Sequence, residues 1–487
     1  GERRDPRRPA PRCGGRRLSL ADDLRAAPLP AAAIAALDGG EGIWVAGGAV
    51  RDAALGRPVT DLDLAVAGDP GTVAKALGRA LKEHAFELSA EFGTWRVVAP
   101  SRGWQVDVTV LRGDSIEADL AARDFTVGAV AVPLAAGEAI DPFDGLVDLE
   151  RGVLRAVGPR SFEEDPLRLL RAARLASQLN LKIDAETVAL AHASAARAAE
   201  PAGERQLAEL RQLLAGPDPL GGLALLDELR ITAVVLPELE ATKGVGQGPN
   251  HHLDVHGHTL EVLEHTLDIE ANLARFVGED RADEAAAFLA EPLADEMDRA
   301  TALRFGALLH DIAKPATRGE INGFIGFRGH DVVGAETIGE IMGRLRASRK
   351  LTRYLQALTL QHLRLGFMIK DAPLPPRRVH EYLRATEPVT IDVTLLTVAD
   401  RLAARGAGPV ASSEMVQAHL DLAREMVAAG LDWHREGPPP PLLRGDEIAA
   451  ELGVEGPAIG EKLAELEAAQ YAGEVTDRDG ALGLLRG

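Results

Sequence analysis

The feature that most restricts the fold is a change of hydrophobic period near Arg151. Upstream, Ile43–Ala46, Leu62–Val66, Trp95–Ala99, Gln105–Leu111 and Thr126–Val132 read as short strands between glycine-rich turns. Downstream, strand signals vanish. Leu/Ala segments such as PLRLLRAARLASQL recur there at helical spacing, broken by Gly and Pro. At 487 residues the chain exceeds what one core commonly serves. The expected class is α+β, a mixed α/β head followed by an all-helical remainder, with no internal repeat.

Composition narrows the function classes. Aromatics are 4% and Ala and Leu dominate, which favours helix. Net charge is −20, from 54 Lys and Arg against 74 Asp and Glu, which argues against non-specific clinging to nucleic acid. A local basic track stays compatible with that balance. The single cysteine, Cys13, excludes an internal disulfide framework and suits a reducing cytoplasm. No apolar run approaches the roughly 20 residues that span a bilayer, so no membrane role is expected. The opening GERRDPRRPAPRCGGRR has no apolar stretch after it, and residues 1–17 read as a disordered basic leader rather than a signal peptide.

The richest stretch is IWVAGGAVRDAALGRPVTDLDLAVAG, Ile43–Gly68. A strand runs into Gly47-Gly48, and a helix opens at Ala49 and closes at Gly56. Two glycines let the backbone approach a ligand, and the helix start offers N–H groups to phosphate, with Arg51 in its first turns. The next strand carries Asp61 and Asp63, which share one face because side chains alternate. Adjacent carboxylates repel unless a cation neutralises them, and hard oxygen ligands suit Mg²⁺. Two ions about 3.5–4 Å apart would activate a 3′-hydroxyl and stabilise departing pyrophosphate. Asp107, in the alternating QVDVTV, is the third acidic candidate by period. A lone Asp-x-Asp is more often a solvated edge strand; the preceding glycine turn and helix make the catalytic reading the stronger one.

Asp165 and Arg168 are three apart and are expected on one helical face. Asp accepts hydrogen bonds and Arg donates them. That order matches the amino donor and ring-nitrogen acceptor on the edge of cytosine and adenine, and opposes uracil and guanine. Glu164 could steer Arg168, and Arg171 and Arg174 extend a basic stripe. A surface laced with ion pairs is the alternative for this segment alone.

The Ile43–Gly68 segment resembles the head of the class II tRNA nucleotidyltransferases and bacterial poly(A) polymerases, of the polymerase β superfamily. Further matches follow in order. EFGT at Glu91–Thr94 looks like the family's flexible loop, and RDFTV at Arg123–Val127 resembles its ribose-contacting motif. DPFDGLVDLERGVLRAVG at Asp141–Gly158 resembles the head–neck hinge, EEDPLRLLRAAR at Glu163–Arg174 the base-recognition helix, and ERQLAEL at Glu204–Leu210 a neck motif. The resemblance places catalysis on Asp61 and Asp63, and nucleotide binding on Gly47, Gly48, Arg51, Arg123, Asp124, Asp165, Arg168, Arg171 and Arg174. Gly128 stands where the family usually has Asn, which removes an amide from the sugar site.

An ordered series follows: His258, His310-Asp311, His330, His362 and Asp400. It resembles an HD-superfamily phosphohydrolase domain. His258, His310, Asp311 and Asp400 are the implied ligands, with His330 and His362 as further candidates and Lys314 beside a phosphate. Imidazole with carboxylate suits Mn²⁺, Fe²⁺, Ni²⁺ or Zn²⁺, with Mg²⁺ also admitted. A hydrogen-bonded core histidine is the alternative for any one position. His251, His252 and His256 receive no role.

The implied division is residues 18–157 as nucleotidyltransferase head, 158–243 as helical neck and body with the base-recognition helix, 244–405 as HD domain, and 406–487 as a helical tail contacting tRNA. The tail turns at GVEGPAIG, after a stiff proline linker at Pro438–Pro441. The implied activity is template-independent addition of C and A to tRNA from CTP and ATP in the cytoplasm. An A-adding or poly(A)-adding enzyme, and an HD phosphohydrolase with an RNA-binding head, are the alternatives.

Overall fold

The computed structural model describes residues 20–37, 39–89, 93–321 and 323–486. The 1–17 leader with Cys13, and Glu91 and Phe92 of the EFGT segment, lie outside the described residues. The chain divides into two compact units between Ser194 and Ala195.

The first unit is built on a six-stranded sheet of β1 (Ile43–Ala46), β2 (Asp61–Val66), β3 (Ala85–Ser89), β4 (Thr94–Ala99), β5 (Trp104–Val110) and β6 (Ala131–Pro133), in the order β3-β4-β5-β2-β1-β6. Only β2 and β5 pair in parallel. Alternation decides what each face holds. Leu62, Leu64 and Val66 join Val45, Val106 and Val108 in the main core, where Ala74 and Leu77 of the Pro70–Leu81 helix cover them. Ala46, Ala65 and Ala131 form a smaller core on the other face with Ile116 and Leu120. Asp61 and Asp63 share the parity of Ala65, beyond the reach of that small cluster, and both stay exposed.

Three expectations need correction. First, the expected strand Thr126–Val132 divides into a 3-10 turn, Thr126–Gly128, and β6. The start of the Gly145–Arg151 helix presses on that turn: a Cβ on Gly145 would lie 2.0 Å from the Thr126 carbonyl oxygen. The Thr126 hydroxyl donates to Asp148 at 2.6 Å. Second, β3 went unread; its AFELS is an edge strand with Phe86 and Leu88 facing solvent, so alternation gives little contrast. Third, strands do not vanish after Arg151. Val153–Leu154 pairs in parallel with Lys182–Ile183, and two short hairpins follow, at Pro292–Asp298 and Gly319–Gly326. Each is too short to carry a periodic signal.

The second unit is helical. The Val255–Ala271 helix packs on Arg299–Leu309 and Thr390–Ala403, and Arg349–Gln361 packs on His330–Arg344 and Arg299–Leu309. Gly306 permits the last approach, since a Cβ there would lie 2.4 Å from a Leu358 methyl. Three short helices, Gly445–Leu452, Pro457–Tyr471 and Arg478–Arg486, enclose a separate core of Leu443, Ile448, Leu466 and Leu485. Among the described residues no helix is long and apolar enough to cross a membrane.

Candidate functional sites

The head site begins at the end of β1. Ala46 is the register partner of Asp63, so the next residue, Gly47, lies against that carboxylate. Gly47 has φ +72° and ψ −126°, a conformation suited to glycine. A Cβ there would sit 3.4 Å from Asp63 Oδ2 and 2.6 Å from an Arg123 Nη1. The Gly48–Ala54 helix starts immediately after, with Arg51 paired to Asp52 at 3.0 Å. Backbone donors, two arginines and the Asp61/Asp63 face thus meet at one corner.

Asp63 and Asp107 are register partners across the parallel β2–β5 pair. Asp107 is engaged sideways, accepting two hydrogen bonds from Arg96 at 2.7 and 2.8 Å. The surrounding protein mass pushes the Asp63 carboxyl above its ordinary value; Arg123 opposes that rise, and Asp107 and Asp61 add to it. A neighbouring cation would reverse this shift. The pair therefore fits a divalent ion, with Asp107 beside Asp63 on β5 and held from its far side by Arg96.

The recognition segment departs from the sequence expectation. Asp165 and Arg168 do not share a helical face. The helix runs Arg168–Leu179, and Asp165 is extended at φ −143°, ψ 100°. Pro166 is the reason, because a residue before proline is driven out of the helical region. Arg168 is buried and donates to the carbonyls of Ala122, at 2.7 Å, and Ser161, at 3.2 Å. Arg174 is buried too and donates to Gln178 at 2.9 Å, so neither extends a surface stripe. Arg171 is half-buried and pairs with Asp124 at 2.8 Å. Burial alone would raise Asp124, but the charge and hydrogen bond of Arg171 outweigh it and hold the carboxyl low. Arg123 pairs with Asp119 at 3.1 Å, and Gly128 supplies a carbonyl 3.4 Å from its Nη1.

The second site lies in the helical unit, where all six sequence candidates converge. His310 is 0% and Asp311 1% exposed. Asp311 Oδ2 lies 3.1 Å from His310 Nε2 and 3.5 Å from His258 Nε2. Its other oxygen, Oδ1, lies 3.4 Å from His330 Nε2 and 3.8 Å from His362 Nε2. Asp400 Oδ1 is 3.0 Å from His258 Nε2. Two sets result, His258/His310/Asp400 and Asp311/His330/His362, each with ligand atoms within 4.8 Å of one another. Among the described residues no such set of three forms at the head carboxylates.

Tautomers follow from the backbone. The Nδ1 atoms of His310, His330 and His362 face the carbonyls of Ala307, Phe327 and Thr359 at 2.8, 2.7 and 2.6 Å. A carbonyl only accepts, so each Nδ1 carries a proton and each ring turns its Nε2 inward. His330 Nε2 and His362 Nε2 are 3.2 Å apart, and two lone pairs at that distance repel unless a cation lies between them. Asp311 Oδ1 is buried without a hydrogen-bond partner among the described residues, and Oδ2 meets only His258, His310 and Lys314 there. The donor set therefore fits metal, with Asp311 offering one oxygen to each group.

Charge supports the same fit. Burial favours neutral Asp311, yet His310, Lys314 and His330 hold its carboxyl well below the usual range. Burial, then the charge of His310, lowers His362 to about 4, leaving it neutral at pH 7 as a ligand must be. Lys314 Nζ reaches Asp311 at 2.6 Å and Gln247 Oε1 at 2.7 Å. His251, left without a role by the sequence, stacks edge-on to His258 at 4.5 Å with its Nδ1 buried and unpartnered. Its only sequence signal was proximity to His258.

Fold and site together define a nucleotidyltransferase with an α/β head and an HD-type helical region. Family models match as Poly A polymerase head domain over residues 43–155, HD domain over 255–405, and Probable RNA and SrmB- binding site of polymerase A over 180–243. The A-adding tRNA nucleotidyltransferase of Deinococcus radiodurans is 36% identical over 89% of this chain and 92% of its own length. The CC-adding tRNA nucleotidyltransferase of Thermus thermophilus is 33% identical, covering 90% and 92%. The Thermotoga maritima CCA-adding enzyme complexed with tRNA shares the fold at TM-score 0.59 and 20% identity, over 96% of this chain and 98% of that one. This chain belongs to the tRNA nucleotidyltransferase and poly(A) polymerase family. Head and HD domains of these kinds generally use divalent metal ions.

Proposed function

We propose that this chain adds C and A nucleotides to the 3′ end of tRNA from CTP and ATP, without a template. The observation that carries the reading is the corner at Gly47, where Arg123 and the Asp63 carboxylate lie within contact distance of the glycine that opens the Gly48–Ala54 helix. Asp61 and Asp63 would hold Mg²⁺, which when bound supplies the charge that activates the 3′-hydroxyl and stabilises leaving pyrophosphate. Gly47 and Gly48 admit the triphosphate against the backbone, and Arg51 and Arg123 neutralise it. Asp107, next to Asp63 and held by Arg96, borders the carboxylate pair. Asp165 supplies the acceptor of the base-reading edge, and Arg168 fixes the segment from beneath.

The test is incorporation of labelled CTP and ATP on tRNA ending before CC and on tRNA ending before A. Asp61→Ala with Asp63→Ala should abolish both; retained incorporation refutes the assignment. The A-adding relative at 36% identity favours a second reading, addition of the terminal A alone. Incorporation of ATP after CC, with no use of CTP, selects it.

For the helical unit the proposal is a metal-dependent phosphohydrolase centre. His258, His310 and Asp400 would hold one cation, His330 and His362 another, and Asp311 both, with Mn²⁺, Fe²⁺, Ni²⁺, Zn²⁺ or Mg²⁺ as candidates. Such ions supply an acidified water to a phosphoester. Lys314, steered by Gln247, holds the phosphate. Residues 18–157, 158–243, 244–405 and 406–487 are the working division, with a tRNA-contacting tail and a cytoplasmic setting.

A further inference from the structure

We propose that the outer face of the Arg349–Gln361 and Arg364–Met368 helices binds a single RNA strand. The proposal rests on the reading that this protein acts on RNA, and adds a surface that the reading does not contain.

The two helices act as one rod. The junction residues keep right-handed helical dihedrals, His362 at φ −59°, ψ −23° and Leu363 at φ −85°, ψ −20°. The inner face is spent on packing: Leu351, Tyr354, Leu355, Leu358 and His362 are buried. The outer face runs through Arg349, Arg353, Leu360, Arg364 and Phe367, at steps of three, four or seven residues, with Lys350 beside the first. At 1.5 Å per residue the stripe is about 27 Å long.

Its chemistry is unusual for this chain. Acidic residues outnumber basic ones 74 to 54, and neighbouring arginines are paired, Arg344 with Glu238 and Arg346 with Glu204. Arg349, Lys350 and Arg353 are exposed, and among the described residues none has a carboxylate partner. Arg349 and Lys350 also stand in the first turn of their helix, where the macrodipole disfavours cations. The fold gains nothing from them there. Among the described residues Arg364 donates to Gln361 Oε1, at 2.7 Å, and pairs with no carboxylate.

At the far end Phe367 is 76% and Leu360 42% exposed, on a cleft of about 280 Å³ lined also by Arg364, Asp331 and an Arg378–Glu381 pair. Phosphates match unpartnered cations at one end, and a bare aromatic ring offers a stacking platform at the other. That combination marks a strand with unpaired bases: a duplex would present no base face to Phe367, and an acidic protein segment needs no such platform.

The test is fluorescence anisotropy with labelled oligoadenylate, with a short RNA duplex and with polyglutamate, on the full chain without nucleoside triphosphate. The variant Arg349→Ala/Lys350→Ala/Arg353→Ala should flatten the slope of log affinity against log salt by about 2 for oligoadenylate. Phe367→Ala should weaken oligoadenylate roughly tenfold and leave the duplex unchanged. All substituted side chains are at the surface, and circular dichroism confirms the fold. Wild-type affinity and slope in both variants overturn the proposal, as does an equal loss for polyglutamate. Asp61→Ala/Asp63→Ala serves as a control: a protein that adds no nucleotides still reports on this surface, so the two readings fail separately.

Discussion

Gly47 is the residue on which the head chemistry turns, because its backbone conformation and its missing side chain are both used. Gly47→Ala would put a methyl group 2.6 Å from an Arg123 nitrogen and impose a left-handed φ on alanine. We expect a stability loss of about 1–3 kcal/mol in chemical denaturation. We also expect a fall of about a hundredfold or more in nucleotide incorporation, from displaced phosphate-binding groups. Gly48→Ala is the contrast, since its Cβ would meet Arg51 at an ordinary 3.5 Å, and activity should fall far less. The carboxylates divide similarly. Asp63→Asn should abolish incorporation, whereas Asp107→Asn loses a partly exposed pair with Arg96 and should cost under about 1 kcal/mol and only part of the rate. Equal losses in the two variants would return Asp107 to the metal site.

At the scale of elements, what was legible in the sequence depended on period and spacing. The strands β1, β2, β4 and β5 were readable because each carries alternation between turn residues. The HD positions were readable because histidine and aspartate pairs on apolar helices are chemically conspicuous. The Asp165–Arg168 geometry departs from its spacing, because Pro166 keeps Asp165 extended and out of the helical turn. Arg168 also looked like a surface reader, and no local spacing tells that its guanidinium closes on Ala122, 46 positions away. Arg168→Ala should therefore destabilise the protein by about 2–4 kcal/mol in denaturant titration, because buried carbonyls lose their donor. Unchanged stability with altered choice between CTP and ATP would restore the reader role. A second element-scale prediction concerns Asp227, at the end of the Pro219–Glu228 helix. Burial would raise its carboxyl, but His256, Thr232 and Lys243 hold it at about 2. A depressed acid contributes stability above its unfolded value and loses it as pH falls toward the folded one. The stability gap between wild type and Asp227→Asn should be flat above about pH 4 and shrink between pH 4 and 2, by about 1–2 kcal/mol.

For the whole molecule, the two units carry ligand sets of different kinds. The head offers exposed carboxylates on a central strand, suited to an ion that arrives with its nucleotide. The helical unit offers buried imidazoles whose protons are fixed by the backbone, suited to an ion that stays. The two chemistries should then separate by substitution. Asp311→Asn keeps shape and volume but removes the charge facing both histidine groups, and His362→Gln removes one ligand of the second group alone. Metal analysis of the purified protein should show metal loss from both groups with Asp311→Asn and partial loss with His362→Gln. Mn²⁺ at a hundred times its dissociation constant should stabilise the wild type by about 2.7 kcal/mol, and Asp311→Asn hardly at all. Phosphate release from nucleotide monoesters should disappear with Asp311→Asn, while incorporation into tRNA stays within about twofold of wild type. If incorporation collapses with the metal content, the buried ions serve the head reaction, and the helical unit is no independent hydrolase.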